Sequence, residues 1–141
     1  MSQERASDGE PAGEVYDWYT RAVDLLDGGN PEAAAALLAH ARARVPESAS
    51  VLEALARACF DAGRFGEAAS RFAELADCSP DNDYARFGLG LSRMRLGDHA
   101  RAIDELAMAA AMRPGRKEYG QALREARATI RFRELDAGWD A

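Results

Sequence analysis

Gly29, Gly63 and Gly97 stand 34 residues apart, and Pro46, Pro80 and Pro114 keep the same interval. Between each glycine and the next proline the chain repeats itself: Ala34, Ala68 and Ala102, then Leu38, Phe72 and Leu106, then Ala41, Leu75 and Ala109. Upstream of each glycine lies another small residue, Ala22, Ala56 or Gly90. Six positions therefore recur as small, apolar or helix-breaking residues at one period in three copies, which constrains the fold more than any other feature of the chain.

The spacing has a physical reading. Small residues let two helices approach closely where they cross, and a larger apolar residue fills the space beside each of them. Glycine accepts the left-handed conformation that ends a helix. Proline stops the following helix, because it lacks a donor and restricts the residue before it. Asn30 before Pro31, and Asp98 after Gly97, have the character of helix N-termini. Helices are expected near 14–27, 31–44, 48–61, 65–77, 82–95 and 99–112, with a seventh from 116 to 136. No strand pattern competes.

This period and these residues resemble the tetratricopeptide repeat (TPR), a 34-residue helix–turn–helix unit. The units would be 15–48, 49–82 and 83–116. Trp18 supplies, once, the aromatic that the family carries near the start of its first helix. The resemblance implies an all-α fold, a right-handed superhelical solenoid of three repeats with a seventh, capping helix. The domain would span 13–136, flanked by a disordered tail at 1–12 and a C-terminal tail at 137–141. One repeat cannot bury its apolar face alone, so the stack has to be closed at its end. The stripe Tyr119, Leu123, Ala126 and Ile130 on the seventh helix is spaced to do so. Three residues depart from the family pattern. Arg21, Arg86 and Arg93 fall where apolar residues are usual, so they reach outward along their stems, pair with acids, or accompany a slight rotation of the first helix of the third repeat.

Composition excludes several functions. Hydrophobic residues make up 48% and charged residues 30%, which describes an ordinary globular chain. The net charge is −6. A nucleic-acid partner is not expected, because binding phosphates leaves a basic footprint. The charge is uneven, since residues 116–133 carry +4 and the remainder −10. No apolar run approaches the roughly 18 residues of a membrane span, and the N-terminal stretch lacks the apolar segment of a signal peptide. The expectation is a cytoplasmic protein without membrane contact. Cys59 and Cys78 are too few for a disulfide framework or a zinc site, and they fall at opposite ends of one repeat. There is no Gly-rich phosphate loop, no HExxH and no Cys–His pair, and acidic neighbours such as Asp104 and Glu105 read as a solvated face. No catalytic, cofactor-binding or metal-binding residue is expected.

The resemblance implies that the first helices of the repeats line a concave surface that binds partner proteins or peptides. The register assigns to it Tyr16, Tyr19, Val23 and Leu26 from the first repeat. The second gives Ser50, Glu53, Arg57 and Phe60, and the third Tyr84, Phe87, Leu91 and Met94. Aromatic residues and methionine there suit a binding hot spot, although Phe87 and Met94 could equally complete packing between repeats. Glu53 and Arg57 are placed to pair at i, i+4, or Arg57 offers its guanidinium fork to a partner carboxylate. Some family members grip a C-terminal carboxylate with a basic and amide-bearing clamp. The matching positions, Tyr19, Val23, Ala54, Tyr84 and Gly88, hold no such side chain, so no clamp is expected. A second surface is formed by Phe132, Leu135 and Trp139, which face away from the capping stripe, with Gly138 expected to fray the helix before Trp139. Either this surface is an apolar tail that folds back on its own chain, or it makes a homodimer or an adaptor subunit the alternative to a peptide-binding module. A chaperone for a secreted or unstable protein is a third reading with the same surface chemistry.

Overall fold

The computed structural model describes residues 10–139, and for Trp139 the backbone only. Seven helices run through them and no strand is present among the described residues: α1 Val15–Asp27, α2 Pro31–Arg44, α3 Ala49–Asp61, α4 Phe65–Cys78, α5 Asp83–Arg95, α6 His99–Met112 and α7 Lys117–Trp139. The first six match the sequence-based spans to within a residue at either end. The repeat chemistry explains why. Gly29, Gly63 and Gly97 adopt φ of +82°, +81° and +84°, the left-handed turn that ends α1, α3 and α5. Ser48, Asn82 and Asp98 accept from the backbone N–H three residues on, which satisfies a donor at the starts of α3, α5 and α6. Val45 and Arg113, each before a proline, leave helical geometry with ψ of 68° and 76°.

The seventh helix departs from expectation at its end. Gly138 lies inside α7 rather than fraying it, and the helix continues to Trp139. A helical glycine costs only about 1 kcal/mol relative to alanine, too little to stop a helix already propagated over five turns. The expected tail at 1–12 falls largely on residues 1–9, outside the described residues, as do residues 140 and 141 of the C-terminal one.

The chain divides into two compact units, one ending at Arg64 and the other beginning at Phe65. The first holds α1, α2 and α3. Its core is Trp18, Ala22, Ala34, Leu38, Ala41, Leu52, Leu55 and Ala56, all but fully buried. The Trp18 indole N–H donates to the Ala12 carbonyl at 3.0 Å, so the one polar atom of this buried ring is satisfied.

The second unit holds α4 to α7. Here the small positions are at their limit. A Cβ on Gly88 would stand 2.4 Å from two ring carbons of Phe72, and one on Gly90 would stand 2.7 Å from Leu106. Glycine in the middle of α5 is thus required by close approach rather than by turning. Tyr119 and Ala126 of α7 are buried, with Leu123 and Ile130 half-buried beside them, as expected of a cap. The arginines that break the family pattern are also accounted for. Arg86 and Arg93, two turns apart on α5, both reach Glu105 of α6, at 3.3 and 2.8 Å. Arg21 is exposed, with one guanidinium nitrogen 3.5 Å from the Ala12 carbonyl.

Candidate functional site

In the first unit, α1 and α3 are the first helices of their repeats. Their register aims one stripe of each away from α2. On α1 that stripe is Tyr16, Tyr19 and Val23. Tyr16 is 76% exposed, while Tyr19 and Val23 are half-buried. Leu26, read from the sequence as part of the same surface, belongs to the core instead at 6% exposed. It lies two turns beyond Trp18 and one beyond Ala22, and so continues the stripe that packs inward. On α3, Glu53, Arg57 and Phe60 are half-buried and Ser50 is exposed.

Charge pairing on this face differs from expectation. Arg57 contacts Asp27 at 3.3 Å and Asp61 at 3.6 Å, so its partner along the helix is the acid one turn on, rather than Glu53 one turn before. The contact with Asp27 ties the end of α1 to α3. The three side chains keep 40% (Arg57), 66% (Asp27) and 41% (Asp61) of their surface in solvent, so the pairs orient groups more than they stabilise the fold.

In the second unit, Tyr84, Phe87, Leu91 and Met94 are all half-buried. Two of them have packing partners. Tyr84 sets its ring edge against Phe72 of α4, centroids 5.8 Å apart, and Phe87 lies against Tyr119 of α7 at 4.6 Å. Phe87 thus helps to seat the capping helix, and only its remaining surface is open to a partner. Two of the clamp-equivalent positions are closed altogether: Ala54 is 8% exposed, and Gly88 has no room for any side chain.

Beneath Phe87 lies a polar contact that the sequence reading did not anticipate. The Tyr119 hydroxyl donates to Asp83 Oδ2 at 2.6 Å in a buried setting, and Arg113 Nε stands 3.5 Å from the other carboxylate oxygen. Burial works to raise the Asp83 pKa. The Tyr119 hydroxyl, a bond to the residue's own backbone and the nearby Arg113 and Arg116 outweigh it, and hold the carboxyl below its ordinary range. Tyr119 moves the other way: burial, and then the bond to Asp83, push its pKa well above that of a free tyrosine. An ionised acid joined to a neutral phenol is a structural latch between the start of α5 and the start of α7. The signal was present in the sequence, since a tyrosine heading a buried stripe needs a partner for its hydroxyl.

On the far side of α7, Phe132 and Leu135 are 72% and 64% exposed. Trp139, expected to extend this surface, has its side chain outside the described residues. No helix among the described residues is long and apolar enough to cross a membrane. Cys59 is buried, Cys78 is exposed, and both are free thiols.

A family model described as tetratricopeptide repeat matches residues 19–83 and 60–117. A comparison with curated proteins gave no match. Among solved structures the chain is similar to MamA AMB-1, with 22% identity, a TM-score of 0.73 and coverage of 89% of this chain and 67% of that one. It is also similar to the first TPR domain of human RPAP3, with 16% identity, a TM-score of 0.79 and coverage of 86% and 95%. A third similar structure is the first TPR of Spaghetti (RPAP3) bound to the HSP90 peptide SRMEEVD, at 16% identity, a TM-score of 0.77 and coverage of 82% and 92%. At such identities the likeness concerns the fold. With the period, the glycine turns, the paired helices and a family model spanning most of the helices, the chain belongs to the tetratricopeptide repeat family.

Proposed function

We propose that this protein is a non-catalytic interaction module that binds a segment of a partner protein on the α1 and α3 face of its first unit. The observation that carries the reading is Tyr16. It is an aromatic side chain 76% exposed at the head of the stripe that Tyr19 and Val23 continue. An exposed tyrosine costs little conformational entropy when it is buried by a partner, and its hydroxyl supplies direction. Glu53 and Arg57 on α3 give that stripe a polar border.

The peptide seated on the Spaghetti (RPAP3) domain supports peptide binding as a use of this fold. The mode here differs from a carboxylate clamp, because the corresponding positions carry no basic or amide side chain. Recognition would rest on internal apolar and aromatic residues of the partner.

The test is selection of displayed random peptides against the full chain, followed by calorimetric titration of the selected peptides. Replacing Tyr16 and Tyr19 together by alanine should weaken binding at least about tenfold, the loss of one hot-spot contact. Peptides that bind the double variant with undiminished affinity would place recognition elsewhere.

A further inference from the structure

Helix α7 has two apolar faces, and the repeats use only one. Tyr119, Leu123, Ala126 and Ile130 turn inward. On the opposite side Ala128, Phe132 and Leu135 follow at intervals of four and three residues, and all are exposed. Trp139 continues the sequence spacing with another four. This is a heptad seam in which Ala128 and Leu135 take d positions and Phe132 and Trp139 take a positions. Polar Gln121 and Glu125 occupy the preceding d and a positions, and Gln121 donates to Glu125 within the helix at 3.2 Å, so the seam begins at Ala128.

The flanks of the seam are charged by side. Arg124 and Arg131 occupy g positions, and Asp136 occupies an e position. Arg131 and Asp136 are exposed, and neither has an ion-pair partner among the described residues. In a parallel helix pair the g residue of one chain meets the e residue five positions on in the other. Arg131 of each copy would meet Asp136 of the other, twice over by symmetry. An antiparallel pair sets g against g and e against e, and would oppose arginine to arginine and aspartate to aspartate. The helix as a whole carries five basic and four acidic residues, a net +1 in a chain of −6, so two copies of it can approach without the repulsion the rest of the chain would impose.

We propose that residues 128–139 of α7 form a parallel two-stranded contact with the same segment of a second copy of this chain. This surface is separate from the α1 and α3 face, and neither reading depends on the other. Four seam positions per chain make a short contact, for which a dissociation constant on the order of 10 µM is expected.

Sedimentation equilibrium of the full chain should reveal monomer and dimer exchanging over that range. Arg131→Asp and Asp136→Arg should each weaken the dimer at least about tenfold, and the two together should restore it. Both residues are exposed, so the helical circular dichroism and melting temperature of the monomer should not move. Orientation is read separately. With Cys78 changed to serine, Ala128→Cys should oxidise to a disulfide-linked dimer, because only the parallel register sets residue 128 beside itself. The proposal is overturned by a wild-type chain that stays monomeric to about 300 µM, by a dimer indifferent to the charge exchange, or by a dimer that fails to link through residue 128.

Discussion

Replacing Tyr119 by phenylalanine removes one oxygen and little else. The ring stays, and with it the contact with Phe87 at 4.6 Å. What disappears is the 2.6 Å bond to Asp83, whose side chain is held in a residue only 8% exposed. A bond to an ionised acceptor contributes about 1.5–3 kcal/mol, and the cost rises when the partner is left dry. Arg113 at 3.5 Å retains part of the compensation, which places the expected loss near 2 kcal/mol at neutral pH. The loss should fall first on α7, since the latch joins its first turn to α5. Urea unfolding followed by circular dichroism gives the total, and amide exchange shows where it falls. The pH dependence separates this from a packing defect. Asp83 has a folded pKa below its ordinary value of 3.8, so its contribution is complete above the unfolded value and fades as the pH drops through the folded one. The gap between wild type and Tyr119→Phe should therefore shrink in acid. A gap below about 0.5 kcal/mol at neutral pH, or one that is the same well below pH 3.8, would refute the latch.

Two further substitutions probe the packing. Gly88→Ala adds a methyl group 2.4 Å from Phe72, which is 1% exposed and cannot swing away, so overpacking of about 1–3 kcal/mol should outweigh the gain in helix propensity. Gly66→Ala, also helical but with nothing within 4 Å, should instead raise the melting midpoint slightly, and the opposite signs of the two changes are the check. Glu105→Ala should cost about 2–4 kcal/mol in denaturant titrations, because Arg86 and Arg93, each near 22% exposed, lose the acid they share. Glu105→Gln should recover part of that by keeping an acceptor.

What could be read from the sequence and what could not divide along a physical line. Gly63, Ala68, Phe72 and Pro80 were legible because each acts through its own backbone or volume: a turn, a close contact, a filler and a stop. The same holds for the stripe from Tyr119 to Ile130, whose spacing alone puts it on one face. Asp83 with Tyr119, and Glu105 with its two arginines, are contacts between helices. Periodicity does not rank the many acids that could serve, and only the three-dimensional crossing selects one. Arg57 shows the same limit at short range. Two acids lay one turn away on either side, and the choice of Asp61 over Glu53 depends on rotamers and on Asp27 arriving from α1. Gly138 was misread for a different reason. A glycine's local cost is small beside the length of helix already formed before it.

The candidate surfaces follow from that division. A repeat dictates the residues that cross and fill, so whatever recognises a partner must lie among the residues it leaves free. The sequence assigns Tyr16 of α1 and Tyr84 and Phe87 of α5 to the same kind of surface, with packing between repeats as the alternative for Phe87. They separate only when their neighbours are known. Tyr84 has Phe72 at its edge and Phe87 has Tyr119 over its ring, because α4 and α7 flank α5 within the second unit. Tyr16 remains open to solvent. The same reasoning sets Phe132 and Leu135 apart from the stripe behind them. Helix α7 satisfies the repeats with its inner face, and no packing demand of the repeat accounts for two large apolar side chains on the other. A phenylalanine and a leucine at seam positions, flanked by arginine on one side and aspartate on the other, are the arrangement a second helix would require.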